Sequence, residues 1–284
     1  MVNLFLNMNI DENKNKNILV FVHIPKTAGT SLHEAFVKKF KLTKEEFLKN
    51  YPNCRGMPER ERYCVNYQYI GHWSNDSSFV IKPFSEFYNN NYAGTLSRTS
   101  RWIPSTNSKI KSPISNNYIQ REVLNYVPLT VVRCPYERFI SAYKYFLVLS
   151  NEKNLNGQFF FDKVKNIFFN KSGSEEYIFC KFIETLNNSK QYIIDSNIIH
   201  LRDMTSFISE NNKILIESII KYENLDEDVN SLLKKYEYGP IDIKHLNVGP
   251  KKYNYLQLLD KDNSLKEIIY NFYKNDFENF NYKK

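Results

Sequence analysis

Apolar residues in this chain come in short dense bursts and in longer stretches with helical spacing. Ile18–Val22 is an uninterrupted apolar run, the pattern of a strand buried on both faces, and it empties into a polar loop, His23–Gly29. Leu32, Ala35, Phe36 and Phe40 then recur at near-helical intervals and predict a helix over Ser31–Phe40. Tyr67–Ile70 predicts a second strand ending at Gly71-His72-Trp73, and Leu129–Val132 a third that breaks at Arg133-Cys134-Pro135. Glu137–Leu149 predicts a helix with Phe139, Ala142, Tyr143 and Phe146 on one face. Residues 158–187 predict two helices separated by Lys171–Ser174, and Lys44–Lys49 and Ser115–Leu124 are shorter helical stretches. Ile214–Ile220 reads as a fourth strand or as a helix running into Lys221-Tyr222-Glu223. Asp226–Tyr236 is helical, with acidic residues at its N-terminus where the dipole favours them, and Leu265–Phe280 is a closing amphipathic helix.

Strands that alternate with helices predict an α/β fold in three layers, a mainly parallel central sheet flanked by helices, because parallel strands need such crossovers. With no internal repeat or linker, the expected organisation is a flexible N-terminal segment, 1–17, and a single domain over 18–284. Residues 74–117, rich in Asn, Ser, Thr and Tyr, read as an insertion dominated by loops. In sheets of this kind the ligand lies beyond the carboxyl ends of the strands. Loops 23–29 and 133–135 both leave such ends.

Composition narrows the partners only slightly. The formal charge of +8 over 284 residues suits a polyanion such as an acidic glycan, a nucleotide or a nucleic acid, and equally a scattered lysine surface. Cys54, Cys64, Cys134 and Cys180 form no CxxC pair and no cluster with zinc spacing, so no metal is expected. Cys54 and Cys64 flank one loop and either pair in an oxidising compartment or remain thiols. The N-terminal stretch MVNLFLNMNIDENKNKN has neither signal-peptide nor membrane-anchor character, and no longer apolar run follows, so a soluble, cytoplasmic protein is expected.

The first loop carries the most specific chemistry. A strand, a tight turn and a helix N-terminus aim free backbone amides and the positive end of the helix dipole at one place, an anion site. Lys26 and the hydroxyls of Thr27, Thr30 and Ser31 belong to it. A P-loop would read GxxxxGK[ST]; here Lys26 precedes Gly29, so the cation guards the loop entrance instead of the first helical turn. In the second loop, Arg133 offers a planar fork of donors suited to phosphate, Pro135 suits a first helical position, and Ser141 lies two turns into the helix.

These two stretches, His23-Ile-Pro-Lys-Thr-Ala-Gly-Thr-Ser-Leu32 and Arg133-Cys-Pro-Tyr-Glu-Arg-Phe-Ile-Ser141, resemble the 5′-phosphosulfate loop and the 3′-phosphate motif of PAPS-dependent carbohydrate sulfotransferases. The similarity is to the heparan sulfate 2-O-sulfotransferase group and its uronyl and bacterial relatives. Gly71-His72, His245-Leu-Asn247 and the pair Lys251 and Lys252 are weaker echoes in the same order. The resemblance implies a P-loop-like sulfotransferase fold that moves a sulfuryl group from PAPS to a hydroxyl of a carbohydrate or glycolipid, without a metal.

In that reading Lys26 serves the leaving group, while Thr27, Ala28, Gly29, Thr30 and Ser31 hold the 5′-phosphate. Arg133 and Ser141 hold the 3′-phosphate, Lys251 and Lys252 close over it, and His72 takes the acceptor proton. Arg138 is expected to be a surface or ion-pair residue. Lys82, Arg98, Arg101, Lys109 and Lys111 with Tyr88, Tyr92 and Trp102 form either an acceptor wall or an irregular polar insertion. Cys134 stands where the resembling family commonly has an aspartate and Ala28 where it usually has a glycine, and no counterpart of the Golgi members' N-terminal anchor is expected. Three rival readings are a P-loop nucleotide kinase-like enzyme, a basic nucleic-acid-binding module, and a relative that binds the nucleotide without catalysis. No nucleic-acid partner is expected, because no reader motif is present.

Overall fold

A computed structural model of the chain describes residues 17–40, 67–70, 95–96, 102–103, 125–151, 173–195, 198–210, 213–244 and 254–284. The first strand, β1 (Asn17–Val22), is followed by helix α1 (Gly29–Phe40) and strand β2 (Tyr67–Ile70). Two short strands, β3 (Thr95–Leu96) and β4 (Trp102–Ile103), pair antiparallel. Strand β5 (Asn125–Val132) leads into α2 (Pro135–Asn151), then α3 (Glu175–Leu186), α4 (Lys190–Asp195) and α5 (Thr205–Ile208). A small hairpin of β6 (Ser209–Glu210) and β7 (Lys213–Ile214) precedes β8 (Ser218–Lys221). Helices α6 (Leu225–Lys235), α7 (Tyr255–Lys261), α8 (Asn263–Phe272) and α9 (Lys274–Asn279) complete the described chain.

The main sheet is parallel throughout, in the order β2-β1-β5-β8. From β1 the chain moves to one side to form β2, then returns to the other side to form β5. The switch point therefore falls between β1 and β5, where an open α/β sheet leaves a crevice at the carboxyl ends of its strands. Their register is fixed over six residues, from Asn17 opposite Asn125 to Val22 opposite Thr130. The Thr130 hydroxyl also donates to the Val22 carbonyl at 2.8 Å, tying the two strand ends together.

Alternation along the strands sorts their side chains between two packing layers. Leu19 and Phe21 of β1, Val127, Leu129 and Val131 of β5 and Ile220 of β8 pack with Leu32, Ala35, Phe36 and Phe40 of α1 and Leu225, Val229 and Leu233 of α6. Val22 and Val132 join Ile199, Met204, Phe207 and Ile208 in a second cluster. A third cluster joins α2, α3, α7 and α8, with Phe139, Ala142, Tyr143 and Phe146 all buried as the helical spacing predicts. Among the described residues no helix is long and apolar enough to cross a membrane.

Three expected elements differ from those observed. Strand β5 starts four residues earlier than expected and includes Pro128, which pairs with Val20 before the β8 ladder begins at Leu129. On a strand side not yet paired, a missing N–H is tolerated. The expected strand over 214–220 is split, because Ile214 pairs with Ser209 in the hairpin and only Ser218–Lys221 enters the sheet. The expected closing helix breaks at Tyr273, whose backbone leaves the helical region while its buried hydroxyl donates to the Leu201 carbonyl at 2.9 Å. Asp276 turns inward just beyond it and accepts from the Met204 and Thr205 amides, each at 2.8 Å, and from the Thr205 hydroxyl at 2.9 Å. The stretches 44–49, 115–124 and 158–172 lie outside the described residues, as do Cys54, Cys64 and most of 74–117.

Helix α6 ends in a Schellman-type cap, with the Tyr238 amide donating to the Leu233 carbonyl at 2.8 Å and the Glu237 amide to Lys234 at 3.0 Å. The geometry demands a left-handed residue, and Glu237 adopts φ 60° with its side chain exposed. Glu237→Gly removes the clash of a Cβ in that conformation and should raise unfolding stability by about 1 kcal/mol. Chemical denaturation reads this directly, and a loss of stability contradicts the assignment.

Candidate functional site: an anion hollow at the β1/β5 switch point

The first loop is held from inside. Thr27 is fully buried and its hydroxyl donates to the Ile24 carbonyl at 2.8 Å, so that hydroxyl braces the turn instead of facing a ligand. Lys26 and Ala28 both adopt φ 69°, a left-handed conformation that L side chains rarely take. Left-handed residues among neighbours of ordinary hand are what curl successive N–H groups into an anion-binding nest. The first helical bond of α1 runs from the Leu32 amide to the Ala28 carbonyl at 3.1 Å. The Gly29 and Thr30 amides precede it and lie at the positive end of the helix dipole. Ala28 occupies a conformation that glycine would adopt without the penalty of a Cβ.

Gly29 is required for a different reason. A Cβ built on it would lie 1.8 Å from His23 Nε2, so the imidazole covers the glycine face. The ring is also stacked on Phe21, with centroids 5.9 Å apart. His23 thus packs the loop against the sheet.

The second loop is held from both sides. The Cys134 amide donates to Glu223 Oε1 at 2.8 Å, and the other oxygen of that carboxylate accepts from the Tyr282 hydroxyl at 2.9 Å. Arg133 uses Nε and Nη2, at 3.2 and 2.9 Å, to bind Glu137 Oε2 one turn ahead. Its guanidinium lies 4.2 Å from the centre of the Tyr222 ring. One face and two donors of Arg133 are therefore committed to holding it in place.

Helix α2 joins the two loops. Arg138, Ser141 and Tyr145 lie at i, i+3 and i+7 and so share one stripe of the helix. Arg138 Nε donates to the Pro25 carbonyl at 3.0 Å, and the Lys26 ammonium sits 4.4 Å from the centre of the Tyr145 ring. The stripe therefore faces residues 25 and 26, and Ser141 lies between its two ends. Tyr145 stacks in turn on the buried His200, with centroids 4.6 Å apart.

Three cations meet here. Burial pushes the Lys26 amine down from the usual lysine range to about 8, and the neighbouring Arg133 and Arg138 charges push the same way. A shift of that size means roughly 3 kcal/mol of disfavoured charge on Lys26 in the absence of an anion. An incoming dianion relieves that repulsion, so the arrangement favours multiply charged anions over neutral ligands. The Cys134 thiol is pushed up by its burial and is no ready nucleophile.

The sequence-predicted residues divide accordingly. Lys26, Ala28, Gly29 and Thr30 line the loop, with Thr30 exposed and Ser31 buried in the first turn of α1. Arg133 and Ser141 belong to the second loop and its helix. His72, Lys251 and Lys252 lie outside the described residues. Arg138 overturns its expectation: it is only 1% exposed, and it spans between backbone carbonyls instead of pairing on the surface. Its position four residues before Ala142, on the inner face of α2, was the available signal. Tyr145, His200, Tyr222 and Glu223 were missed, since nothing local in the sequence says that aromatic rings and a distant carboxylate will brace the two loops.

The class of protein so defined is an α/β fold in which three cations, Lys26, Arg133 and Arg138, gather at the topological switch point of a parallel sheet. The sequence model of the Sulfotransferase family matches residues 12–283, and the chain belongs to that family. No curated protein matches it.

Gly29→Ala should displace His23 and lower unfolding stability by about 1–3 kcal/mol, the usual range for an overpacked site. In a His23→Ala background the same substitution should be far milder. A double-mutant cycle with no coupling between the two positions contradicts the packing described.

Proposed function

We propose that the protein transfers a sulfuryl group from PAPS to a hydroxyl of a carbohydrate or glycolipid, within a three-layer, P-loop-like sulfotransferase fold in the cytoplasm. The observation that carries the reading is the meeting of Lys26, Arg133 and Arg138 at the β1/β5 switch point, beside the amides that open α1. It is joined to a family match that spans nearly the whole chain. PAPS carries phosphate at both ends of its ribose, and two adjacent strand tips supply one cationic loop for each end.

PAPS supplies an activated sulfuryl group on a phosphosulfate anhydride. The Gly29 and Thr30 amides, with Ala28 and Ser31, hold the 5′-phosphate by the helix N-terminus. Arg133 and Ser141 hold the 3′-phosphate, and the Nη1 edge that Glu137 leaves uncommitted is the part of the Arg133 fork offered to it. As the acceptor oxygen bonds to sulfur, the bond from sulfur to the bridging oxygen breaks and charge grows on the leaving phosphate. Lys26 faces that charge in protonated form. His72 takes the acceptor proton, Lys251 and Lys252 close over the bound nucleotide, and the basic and aromatic residues of 74–117 face the glycan.

Calorimetry with adenosine 3′,5′-bisphosphate (PAP) beside AMP, followed by sulfate transfer from labelled PAPS to a glycan panel, tests the reading. PAP should bind at least tenfold more tightly than AMP, and Arg133→Ala should narrow that ratio. Equal affinity for the two nucleotides, or no sulfate transfer to any glycan, contradicts it.

Lys26 also sets a pH dependence. Its amine is protonated below about 8 in the free protein, and a bound dianion draws it back towards the usual lysine range. Binding therefore takes up a proton above that midpoint, and PAP affinity should fall by up to tenfold per pH unit beyond 8. Lys26→Arg should bind PAP with no such alkaline limb. A wild-type affinity that stays flat from pH 7 to 10 contradicts the role of Lys26.

A further inference from the structure

Arg138 is the most fully buried cation described, and the mechanism above gives it no contact with the nucleotide. Its Nε donates to the Pro25 carbonyl at 3.0 Å and its Nη1 to the Arg202 carbonyl at 2.8 Å, joining segments 113 and 64 residues away. Its Nη2 is buried with no hydrogen-bond partner among the described residues. In a guanidinium, Nη2 shares an edge with Nε, so this spare donor faces the same side as Pro25. A buried charge without a bonded carboxylate is expensive, and persists only where its geometry is over-determined.

The far anchor is itself built. Tyr273 fixes the Leu201 carbonyl, and Asp276 takes the amides of Met204 and Thr205, so the segment that receives Arg138 is clamped by the C-terminal helices. At the near end, Pro25 precedes Lys26, whose left-handed backbone sets the direction of the loop.

We propose that Arg138 is the positioning residue of the anion loop: its guanidinium fixes the Pro25 carbonyl against the clamped 201–205 segment and so sets where Lys26 enters the hollow. The function of this residue rests on the sulfuryl-transfer reading, whereas the pinning itself does not. The second consequence is electrostatic. Lys26 is faced by Arg133 on the strand tip and by Arg138 and Tyr145 on α2, while Arg138 is faced by Lys26, Tyr273 and Asp276. Removing the Arg138 charge removes one of the two cations that oppose protonation of Lys26.

Two variants separate these effects. Arg138→Lys keeps the charge and loses the fork; Arg138→Met fills similar space and loses both. Thermal melting first establishes that each is folded, and hydrogen exchange then reads the loop without any ligand. Exchange at the amides of Lys26 to Gly29 should quicken at least tenfold in both variants relative to the β1 amides. Unchanged loop exchange in a folded Arg138→Lys overturns the pinning, whether or not PAP binds to anything.

PAP titration reads the functional half. Affinity should fall tenfold or more in both variants, and the alkaline midpoint should move up in Arg138→Met and stay in place in Arg138→Lys. An alkaline midpoint that Arg138→Met leaves where it is in the wild type overturns the electrostatic coupling to Lys26, and a PAP affinity unchanged in a folded Arg138→Lys overturns the positioning role. Failure of the wild-type protein to bind PAP overturns the sulfuryl-transfer reading instead, and the exchange result still decides the pinning.

Discussion

Two parallel strands that sit side by side must end at the same edge of their sheet, and the pairing of β1 with β5 is the constraint on which this molecule's chemistry depends. The register from Asn17 opposite Asn125 to Val22 opposite Thr130 delivers both loops to one crevice, and the Thr130 hydroxyl closes the pair at its tip. A one-residue slip of β5 against β1 would turn Val132 from one packing layer to the other and carry Arg133 away from Lys26. Because Leu19, Phe21, Leu129 and Val131 are fitted to α1 and α6 on one face and Val22 and Val132 to a different cluster on the other, that slip would misfit both close-packed layers. The geometry of the site is thus specified by hydrophobic side chains that never meet a ligand.

Around that edge the two loops are braced in complementary ways. The first is short of ordinary backbone conformations, with two left-handed non-glycine residues, and is held by Thr27 from within, His23 from above and Arg138 from α2. The second is held by a carboxylate, Glu223, which takes the Cys134 amide and is itself tied to Tyr282. Left-handed backbone and unbalanced positive charge at one place cost stability, and under the proposed reading a bound anion would offset the charge part of that cost.

Much of this was legible in the residues. The buried runs at 18–22 and 129–132, the helical spacing of 32–40 and 139–146, and the polar loops between them placed the strand tips and both cationic loops. Local pattern failed where long-range contacts decide. The third strand is expected only from Leu129, and its extension back through Pro128 depends on the β8 ladder not starting until Leu129, which the local sequence does not show. The 214–220 run looked continuous because nothing in it shows that Ile214 pairs backwards with Ser209. Arg138 looked like a surface cation because its two acceptors are backbone carbonyls far away in sequence, which no composition reveals. His72 and the Lys251–Lys252 pair were legible only through resemblance, and the described residues do not include them.

The most direct measurement is a crystal structure of the protein with adenosine 3′,5′-bisphosphate. The 5′-phosphate should lie at the Gly29 and Thr30 amides within reach of the Lys26 ammonium, with the 3′-phosphate at Arg133 and Ser141 and the ribose spanning the gap between β1 and β5. A nucleotide bound elsewhere, or one seated there with its 3′-phosphate turned away from Arg133, would contradict the account.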